Sequence, residues 1–229
     1  MANFGLSPIL HNFVSYAGAS AVFAMALPTG ASAASAGALM WHAHFLRRAL
    51  ETCFLFRFSG TTVALEDSAM EFVYYWGFAV WIASSAPGWP STSAGGGNGG
   101  AWRVVLGLAL WGVSEYFNFR CHVALARNPK HSGPGGKRQR VDKRHGCLFG
   151  SVTSPHYLFE MCSWMGFNVA TGAALPGLVF MALGALIMTC YAIVRHEAAQ
   201  HISPSNNHTP VFPFGIDVRP PKPVIEALA

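Results

Sequence analysis

The sequence predicts an all-α integral membrane protein, a bundle of about five transmembrane helices joined by cytosolic basic loops. Of its 229 residues, 52% are hydrophobic and only 11% are charged, and five apolar stretches recur along the chain. A soluble domain is about a quarter charged, so most of this surface is not expected to face water. The composition therefore favours a chain that is largely surrounded by lipid.

The five apolar stretches are the predicted membrane helices. They cover about 13–40, 71–86, 102–119, 147–172 and 175–194. The last stretch is the most uniform, and it has the length of about 20 residues that a helix needs to cross a bilayer. The first stretch is interrupted by the sequence ALPTGASAASAGA.

The first stretch has a second interpretation, as a signal peptide. Small residues of the kind found at cleavage sites, ASAASA, follow its apolar part. A signal peptide normally begins with a basic region, however, and no Lys or Arg precedes this stretch. A retained membrane span is therefore the favoured interpretation.

Basic residues alternate with uncharged connections, and this pattern predicts the orientation of the chain. The loop 120–145 contains eight of the fifteen lysines and arginines, whereas the linker 87–101 has no charged residue. Cytosolic loops are enriched in Lys and Arg, which places the basic loop and the C-terminus, after Arg195, in the cytosol. In a membrane protein such a loop favours anionic headgroups or a phosphorylated ligand over nucleic acid.

The fourth apolar stretch carries ionisable residues within the sequence SPHYLFE. Ser154 can cap a helix and Pro155 suits its first turn. Such a helix places Tyr157, Glu160 and Trp164 on one face, and a tyrosine hydroxyl beside a carboxylate in a cavity can polarise a carbonyl and donate a proton. Equally, Tyr157 fits an interfacial aromatic belt and Glu160 an ion pair with a neighbouring arginine.

The sequence WHAHFLRRALETCFLFRFSGTT, residues 41–62, predicts a second polar helix face. His44, Arg47 and Glu51 lie at i, i+3 and i+7, and Arg47 and Glu51 form an i, i+4 pair of opposite charge. His42 and His44 are two residues apart, whereas metal ligands on a helix are usually four apart, so no metal site is expected. The arginines also suit a cytosolic positive anchor.

A third cluster follows the third apolar stretch, in SEYFNFRCHVALARNPKHSGPGGKRQRVDKRHG. Asn118 and His122 share a helix face at i, i+4. The basic residues after them suit the phosphates of a nucleotide or of coenzyme A; alternatively, they form a solvated loop that obeys the positive-inside rule. GPGG is not a P-loop, because no Lys-Ser/Thr follows it.

Four sequences, in their order and spacing, resemble the trans-2-enoyl-CoA reductases of very-long-chain fatty acid elongation, within the steroid 5α-reductase family. They are HFLRRALETCFLFRFSGTT, EFVYYWGFAVWIA, NFRCHVAL and SPHYLFEMCSWMGF, and they span about 41–168. The resemblance implies a multi-pass enzyme of the endoplasmic reticulum membrane that uses NADPH to reduce the 2,3 double bond of a long-chain trans-2-enoyl-CoA. The partners it implies are the long-chain acyl-CoA substrate, the lipid bilayer and other enzymes of the elongation cycle, and no nucleic acid.

The resemblance also divides the chain into three parts. Residues 1–40 form a weakly characteristic N-terminal membrane segment, and residues 41–200 form a reductase-like membrane domain. Residues 201–229 are rich in proline and polar side chains, and they are predicted to form an irregular, cytosolic C-terminal tail.

Roles for individual residues follow from the clusters and the resemblance together. Members of the family carry a catalytic acid, the tyrosine of a Pro-Asn-Tyr triplet, and its position here is Tyr157. The catalytic candidates are Tyr157, Arg47 and Glu160. The cofactor-binding candidates are Asn118, His122, Arg127, Lys137, Arg138, Arg140, His156 and His196. The substrate-binding candidates are His44, Glu51 and Trp164.

Departures from the family's pattern keep two alternatives open. The Asn of the triplet is His156, a frequent Lys is Arg47, and Glu197 and Ala199 replace a basic residue and a tyrosine near the C-terminus. These changes support a catalytically impaired membrane scaffold of the elongation complex. The other alternative is a related reductase of a steroid or polyprenyl enone, which would use the same chemistry in a different pocket.

Overall fold

Six α-helices make up most of the part of the chain that the structure describes. This computed structural model describes residues 5–29, 35–58, 62–90, 98–127, 148–149, 151–202 and 209. The helices are α1 (Pro8–Ala26), α2 (Ala36–Phe54), α3 (Leu65–Ser84), α4 (Asn98–Ala126), α5 (Pro155–Ala170) and α6 (Leu175–Ile202). Two short strands, β1 (Gly5–Leu6) and β2 (Val63–Ala64), pair antiparallel with Gly5 opposite Ala64. The prediction of an all-α protein is confirmed.

The first apolar stretch forms parts of two helices, so the prediction of one span over 13–40 is wrong. α1 ends where Leu27, which precedes Pro28, adopts an extended backbone, because a residue before proline disfavours the helical region. Ser35 then begins α2 by accepting a hydrogen bond from the Ala38 N–H at 3.3 Å, the arrangement of a helix N-cap. The described part of the chain therefore has six helices, and the predicted number of about five membrane spans is not confirmed, because only two of these helices have the length and hydropathy of a span.

Each of the other apolar stretches contributes to one helix, and the bounds of these helices differ from the predicted ones. α3 begins earlier than predicted, with Glu66 and Asp67 in its first turn, where the helix dipole favours negative charge. α4 continues past 119 to Ala126, so the part of the third cluster up to Ala126 extends the apolar helix without a break. α5 begins at Pro155, as the Ser154-Pro155 sequence predicts, although the Ser154 side chain makes no cap hydrogen bond.

Two of the described helices are long and apolar enough to cross a membrane. They are Pro8–Ala26, with a mean hydropathy of 1.3, and Leu175–Glu197, with a mean hydropathy of 2.2. Large apolar side chains are also exposed on α4, including Trp102, Val105 and Val113. An exposed apolar surface of this kind marks a site of membrane or protein contact. Length and composition therefore support membrane attachment through α1 and α6.

An aromatic layer holds α2 against α5 and α6. The ring of Trp41, on α2, lies 5.6 Å from that of Trp164, 6.1 Å from that of Phe167 and 5.6 Å from that of Phe180, between centroids. Trp41 is fully buried, and each such aromatic pair adds about 0.5–1.5 kcal/mol beyond its buried area. His44, further along α2, packs on Trp164 at 4.6 Å. The layer therefore fixes the polar face of α2 next to α5.

Two glycines allow α4 and α5 to pack backbone against backbone. A Cβ atom on Gly166 would lie 2.6 Å from the Trp111 nitrogen and 2.8 Å from the Gly107 oxygen. A Cβ atom on Gly107 would lie 2.5 Å from the Ala170 nitrogen. Glycine has no Cβ and so permits this approach. The crossing brings the polar residues of α4 close to those at the start of α5.

Gly166→Ala is expected to lower the free energy of unfolding by about 1–3 kcal/mol, the usual cost of forcing an extra methyl group into a packed interior. Gly112→Ala is the matched control, because a Cβ atom there meets no heavy atom within 4 Å. Alanine is favoured over glycine within a helix by about 0.5–1 kcal/mol, so the control should be as stable as the wild type or more so. Thermal unfolding of both variants in detergent measures the difference, and equal stability would contradict the close crossing.

Candidate active site

The polar residues of the three sequence clusters converge between α2, α4 and α5. Hydrogen bonds and ion pairs connect side chains that are up to 74 positions apart in the sequence. The network contains His44, Arg47, Arg48 and Glu51 from α2; Glu115, Asn118 and His122 from α4; and His156 and Glu160 from α5. Clusters that were predicted separately therefore form one network.

Arg47 connects α2 to α4 through three nitrogens of its guanidinium. Its Nε donates to Glu115 Oε2 at 2.8 Å, and its Nη2 donates to Asn118 Oδ1 at 2.9 Å. Its Nη1 donates to Glu51 Oε1, so the predicted i, i+4 ion pair is confirmed. A planar guanidinium suits several simultaneous acceptors. Arg47 therefore orients two carboxylates and an amide, and its predicted catalytic role stays a prediction.

Glu51 is the counter-ion of two arginines. Its Oε2 accepts from Arg48 Nη1 and from His122 Nδ1, each at 2.8 Å, and its other oxygen accepts from Arg47. Burial by itself would raise the pKa of Glu51, but the hydrogen bond from His122 and the charges of Arg48 and Arg47 lower it to about 2. Glu51 lies near the C-terminal end of α2, outside both candidate membrane spans, and it is ionised at neutral pH.

Asn118 joins α4 to the start of α5. Its side chain is fully buried, and its Nδ2 donates to the His156 carbonyl at 2.8 Å and to Glu160 Oε2 at 3.3 Å. Because Asn118 Oδ1 accepts from Arg47, the orientation of the amide is fixed. The other carboxylate oxygen of Glu160 lies 3.8 Å from His44 Nε2. Glu160 is therefore positioned from both α2 and α4.

Tyr157 lies at the edge of the network, in the first turn of α5. Its ring lies 4.1 Å from the His156 ring, between centroids, and 5.3 Å from the Arg195 guanidinium carbon. The side chain is half-buried. Both contacts are made by the aromatic ring of Tyr157, and neither involves its hydroxyl group. The partners of Glu160, by contrast, are Asn118 and His44, so Tyr157 and Glu160 are held by different groups.

Three buried polar atoms near the start of α5 lack a hydrogen-bond partner among the described residues. They are Arg48 Nε, Ser154 Oγ and His156 Nδ1. A buried polar group without a partner costs about 1–3 kcal/mol. Ser154 precedes α5 and His156 is its second residue, at the end of the helix to which the helix dipole gives a partial positive charge. Such a place suits a ligand that presents anionic or carbonyl oxygen atoms.

Two further cofactor candidates, His196 and Arg127, are among the described residues. His196, on α6, is buried, and its Nδ1 lies 2.8 Å from Thr153 Oγ1, just before α5. Arg127 is exposed immediately after α4. Three others, Lys137, Arg138 and Arg140, lie outside the described residues.

The three substrate candidates are enclosed by protein. His44, Glu51 and Trp164 are 2%, 3% and 4% exposed. His44 contacts Glu115 and Trp164, and Glu51 contacts arginines and a histidine. Their described contacts are with other residues of the chain, and their role in binding substrate stays a prediction.

Four residues of the site and its border were not among the sequence candidates: Tyr16, Arg48, Glu115 and Arg195. Glu115 has a signal in the sequence, since it shares a helix face with Asn118 and His122 at i, i+3 and i+7. Tyr16 has none, because it reaches the network only through tertiary packing. Arg48 Nη2 donates to its hydroxyl at 3.3 Å, and the Arg48 guanidinium carbon lies 5.1 Å from its ring.

Known families match the part of the chain that contains these helices. Residues 96–209 match the family described as 3-oxo-5-alpha-steroid 4-dehydrogenase. The matched interval includes the polar residues of α4 and α5, together with Arg195 on α6. The α2 part of the network lies before it.

Curated relatives match a larger share of the chain. The very-long-chain enoyl-CoA reductase of Dictyostelium discoideum is 34% identical over 154 residues, which are 67% of this chain and 48% of the relative. The probable very-long-chain enoyl-CoA reductase art-1 of Caenorhabditis elegans is 30% identical over 161 residues, 69% and 50% of the two chains. The putative enoyl-CoA reductase of Trypanosoma brucei brucei is 33% identical over 175 residues, 75% and 55%.

The chain thus spans about half the length of the curated relatives it matches. The family match and the relatives agree with the resemblance of the four sequences quoted above, and they confirm it. The chain belongs to the steroid 5α-reductase family.

Proposed function

We propose that this chain is an NADPH-dependent reductase of the 2,3 double bond of long-chain trans-2-enoyl-CoA, with Tyr157 as the proton donor. The observation that carries the proposal is the buried network between α2, α4 and α5, next to which Ser154 Oγ and His156 Nδ1 have no hydrogen-bond partner among the described residues. Ionisable groups gathered in a buried place are typical of active sites. The printed names of the relatives, enoyl-CoA reductases, supply the substrate class.

Tyr157 is proposed to act at the thioester end of the substrate. Reduction of an enoyl thioester places negative charge on the thioester oxygen, and a hydroxyl directed at that oxygen stabilises the charge. Tyr157 then donates its proton to this enolate, which completes the addition across the double bond. It later regains a proton from water. The Arg195 guanidinium, 5.3 Å from the Tyr157 ring, stabilises the phenolate that exists between these two events.

NADPH, when bound, would supply the hydride that adds to the β-carbon of the substrate. The residues present fit such a cofactor, because Ser154 Oγ and His156 Nδ1 are buried, polar and unpaired within the described residues. Arg127 and the basic loop offer positive charge for phosphate groups. The residues proposed to hold the cofactor are Asn118, His122, Arg127, Lys137, Arg138, Arg140, His156 and His196.

The proposed location is the endoplasmic reticulum membrane, with several spans and a cytosolic C-terminus. α1 and α6 have the length and hydropathy of spanning helices, and the positive-inside rule supports a cytosolic basic loop. The bilayer and other enzymes of the elongation cycle are the proposed partners. In this arrangement the reductase domain is 41–200, flanked by the N-terminal segment 1–40 and the tail 201–229.

NADPH oxidation by the purified, detergent-solubilised protein tests the proposed function. The substrate is a long-chain trans-2-enoyl-CoA, and mass spectrometry should find one saturated acyl-CoA for each NADPH consumed. A reaction without enoyl-CoA serves as the control. Folded protein that neither binds NADPH nor turns over the substrate would favour the alternative of a membrane scaffold.

A reductase of a steroid or polyprenyl enone is the second candidate function. It is favoured by the matched family, whose description names a 3-oxo-5-alpha-steroid dehydrogenase. The chemistry is the same, because both substrates carry a double bond conjugated to a carbonyl group. Competition between a long-chain enoyl-CoA and a 4-en-3-one steroid distinguishes the two, since the true substrate should be reduced with the higher kcat/KM.

Replacing Lys137, Arg138 and Arg140 with glutamine is expected to raise the KM for NADPH by about tenfold or more, since a charged hydrogen bond is worth about 1.5–3 kcal/mol. The KM for NADH should change much less, because NADH lacks the 2′-phosphate that a Lys or Arg would match. Initial rates at varied concentrations of the two dinucleotides measure both constants. Arg57→Gln, at an exposed arginine of another loop, is the control.

Equal effects on NADPH and NADH would overturn this assignment. A higher KM for the acyl-CoA alone would instead place the basic loop at the phosphates of coenzyme A.

A further inference from the structure

Glu115 is a buried carboxylate whose two oxygens hold two different members of the network. It lies on α4 and is 7% exposed. Its Oε1 lies 2.8 Å from His44 Nδ1, and its Oε2 accepts from Arg47 Nε at 2.8 Å. None of the described contacts of Glu115 is with Tyr157. The described contacts of Glu115 connect it to the rest of the site through His44 and Arg47.

The first route from Glu115 passes through His44. A carboxylate at Nδ1 fixes the tautomer and the ring orientation of a histidine. With Nδ1 held by Glu115, the other ring nitrogen, Nε2, faces Glu160 Oε1 at 3.8 Å. The ring is also packed against Trp164, 4.6 Å between centroids. Glu115 therefore holds Nδ1 of His44 and Trp164 packs on the ring, so that Nε2 faces Glu160.

The second route passes through Arg47 and Asn118. Glu115 holds the Nε of Arg47, so that Nη2 can donate to Asn118 Oδ1 at 2.9 Å. That bond leaves Asn118 Nδ2 to donate to the His156 carbonyl at 2.8 Å and to Glu160 Oε2 at 3.3 Å. The two routes thus end on the two different oxygens of Glu160. The second also reaches the backbone of the residue before Tyr157.

We propose that Glu115 is a positioning residue for the reaction. It acts through His44 and Arg47 to hold Glu160 and the first turn of α5, and so sets the place of the Tyr157 hydroxyl. This inference rests on the proposed function, in which Tyr157 donates the proton. A carboxylate that holds two cationic or hydrogen-bonding groups cannot be replaced by an amide without loss, because an amide is neutral and has a single acceptor oxygen.

Glu115→Gln tests the proposal, with Glu71→Gln as the matched control. Glu71 also pairs with a histidine, since its Oε2 lies 3.0 Å from His11 Nε2, but this pair lies between α1 and α3, outside the network. Glu115→Gln is expected to lower kcat by about 10- to 100-fold, the loss that a small misplacement of reacting groups produces. The loss of kcat should exceed any change in the KM for enoyl-CoA or in the Kd for NADPH, and Glu71→Gln should leave kcat unchanged.

The ring nitrogens of His44 provide a readout that does not depend on turnover. In protein labelled with ¹⁵N-histidine, His44 is assigned by its absence in His44→Gln. Its Nδ1 and Nε2 resonances should shift in Glu115→Gln and stay in place in Glu71→Gln. Glu115→Asp, which restores the negative charge, should recover part of the lost kcat.

Three results would overturn the proposal: an unchanged kcat in Glu115→Gln, an equal loss in Glu71→Gln, or a loss that parallels the fall in Tm with no recovery in Glu115→Asp. A wild-type protein without turnover would reject the proposed function by itself. The His44 resonances would then still decide whether Glu115 positions this histidine, since a shift confined to Glu115→Gln supports that role and no shift rejects it.

Discussion

Tyr157→Phe is expected to lower kcat for the reduction of trans-2-enoyl-CoA by about 10²–10³-fold, the usual loss when a main donor to a developing oxyanion is removed. The substitution takes away only the hydroxyl. Phenylalanine keeps the ring that packs against His156 and lies under Arg195, so the fold and cofactor binding should be preserved. NADPH oxidation and NADPH binding, measured on one preparation, separate catalysis from binding.

Tyr116→Phe is the matched control for this prediction. The Arg120 guanidinium carbon lies 5.8 Å from the Tyr116 ring, and Arg120 Nη1 donates to its hydroxyl at 2.9 Å. Tyr116 therefore also has an arginine over its ring, but it is 53% exposed, and its loss should leave kcat unchanged. If Tyr157→Phe kept full turnover, Tyr157 would not be the acid, and Arg47 or His156 would be the next candidates.

Sequence patterns predict the parts of the site that depend on interactions between residues close to each other in the sequence. The start of α5 at Pro155 was predicted because a first-turn proline acts within a few residues, although the cap hydrogen bond expected of Ser154 is absent. The ion pair of Arg47 and Glu51 was predicted because side chains four apart on a helix are neighbours. Both features are present in the structure.

Contacts between helices could not be predicted in the same way. His44 and Glu115 are in contact although they lie 71 positions apart in the sequence. The helical repeat shows which residues share a face of α2 or of α4, but not which of these faces pack together. The interruption ALPTGASAASAGA in the first apolar stretch is visible in the sequence, but the residues after it were assigned to the same stretch. Small and apolar residues continue beyond the interruption, so hydropathy alone does not show that Ala36–Met40 belong to the next helix, α2.

The network buries charges of opposite sign together. Arg47 and Arg48 are matched by Glu51 and Glu115 within hydrogen-bond distance. Removing one partner of a buried ion pair usually costs more than the pair contributes, since it leaves an uncompensated charge. Substitution of a charged residue in this site is therefore expected to lower the stability of the fold as well as to affect the reaction.

Glu51→Ala is expected to lower the free energy of unfolding by about 3–5 kcal/mol, the usual cost of breaking a buried ion pair by removing one partner. Glu51 is 3% exposed, and its loss leaves Arg48 with a histidine and a tyrosine as its remaining described partners. Equilibrium unfolding in mixed micelles measures the change. Glu71→Ala is the control, because the Glu71 side chain is 32% exposed and pairs with a single histidine; its cost should be about 1 kcal/mol or less.

The pH dependence of unfolding gives the same prediction an independent check. Burial opposes ionisation, but His122, Arg48 and Arg47 lower the pKa of Glu51 from its usual 4.5 to about 2 in the folded protein. A carboxyl group whose pKa is lowered by folding stabilises the folded state above its unfolded pKa, and this contribution is lost as the pH falls through the folded value. The stability difference between wild type and Glu51→Ala should therefore be full above pH 4.5 and shrink towards pH 2. A difference that stayed constant over this range would show that Glu51 acts through packing and not through its charge.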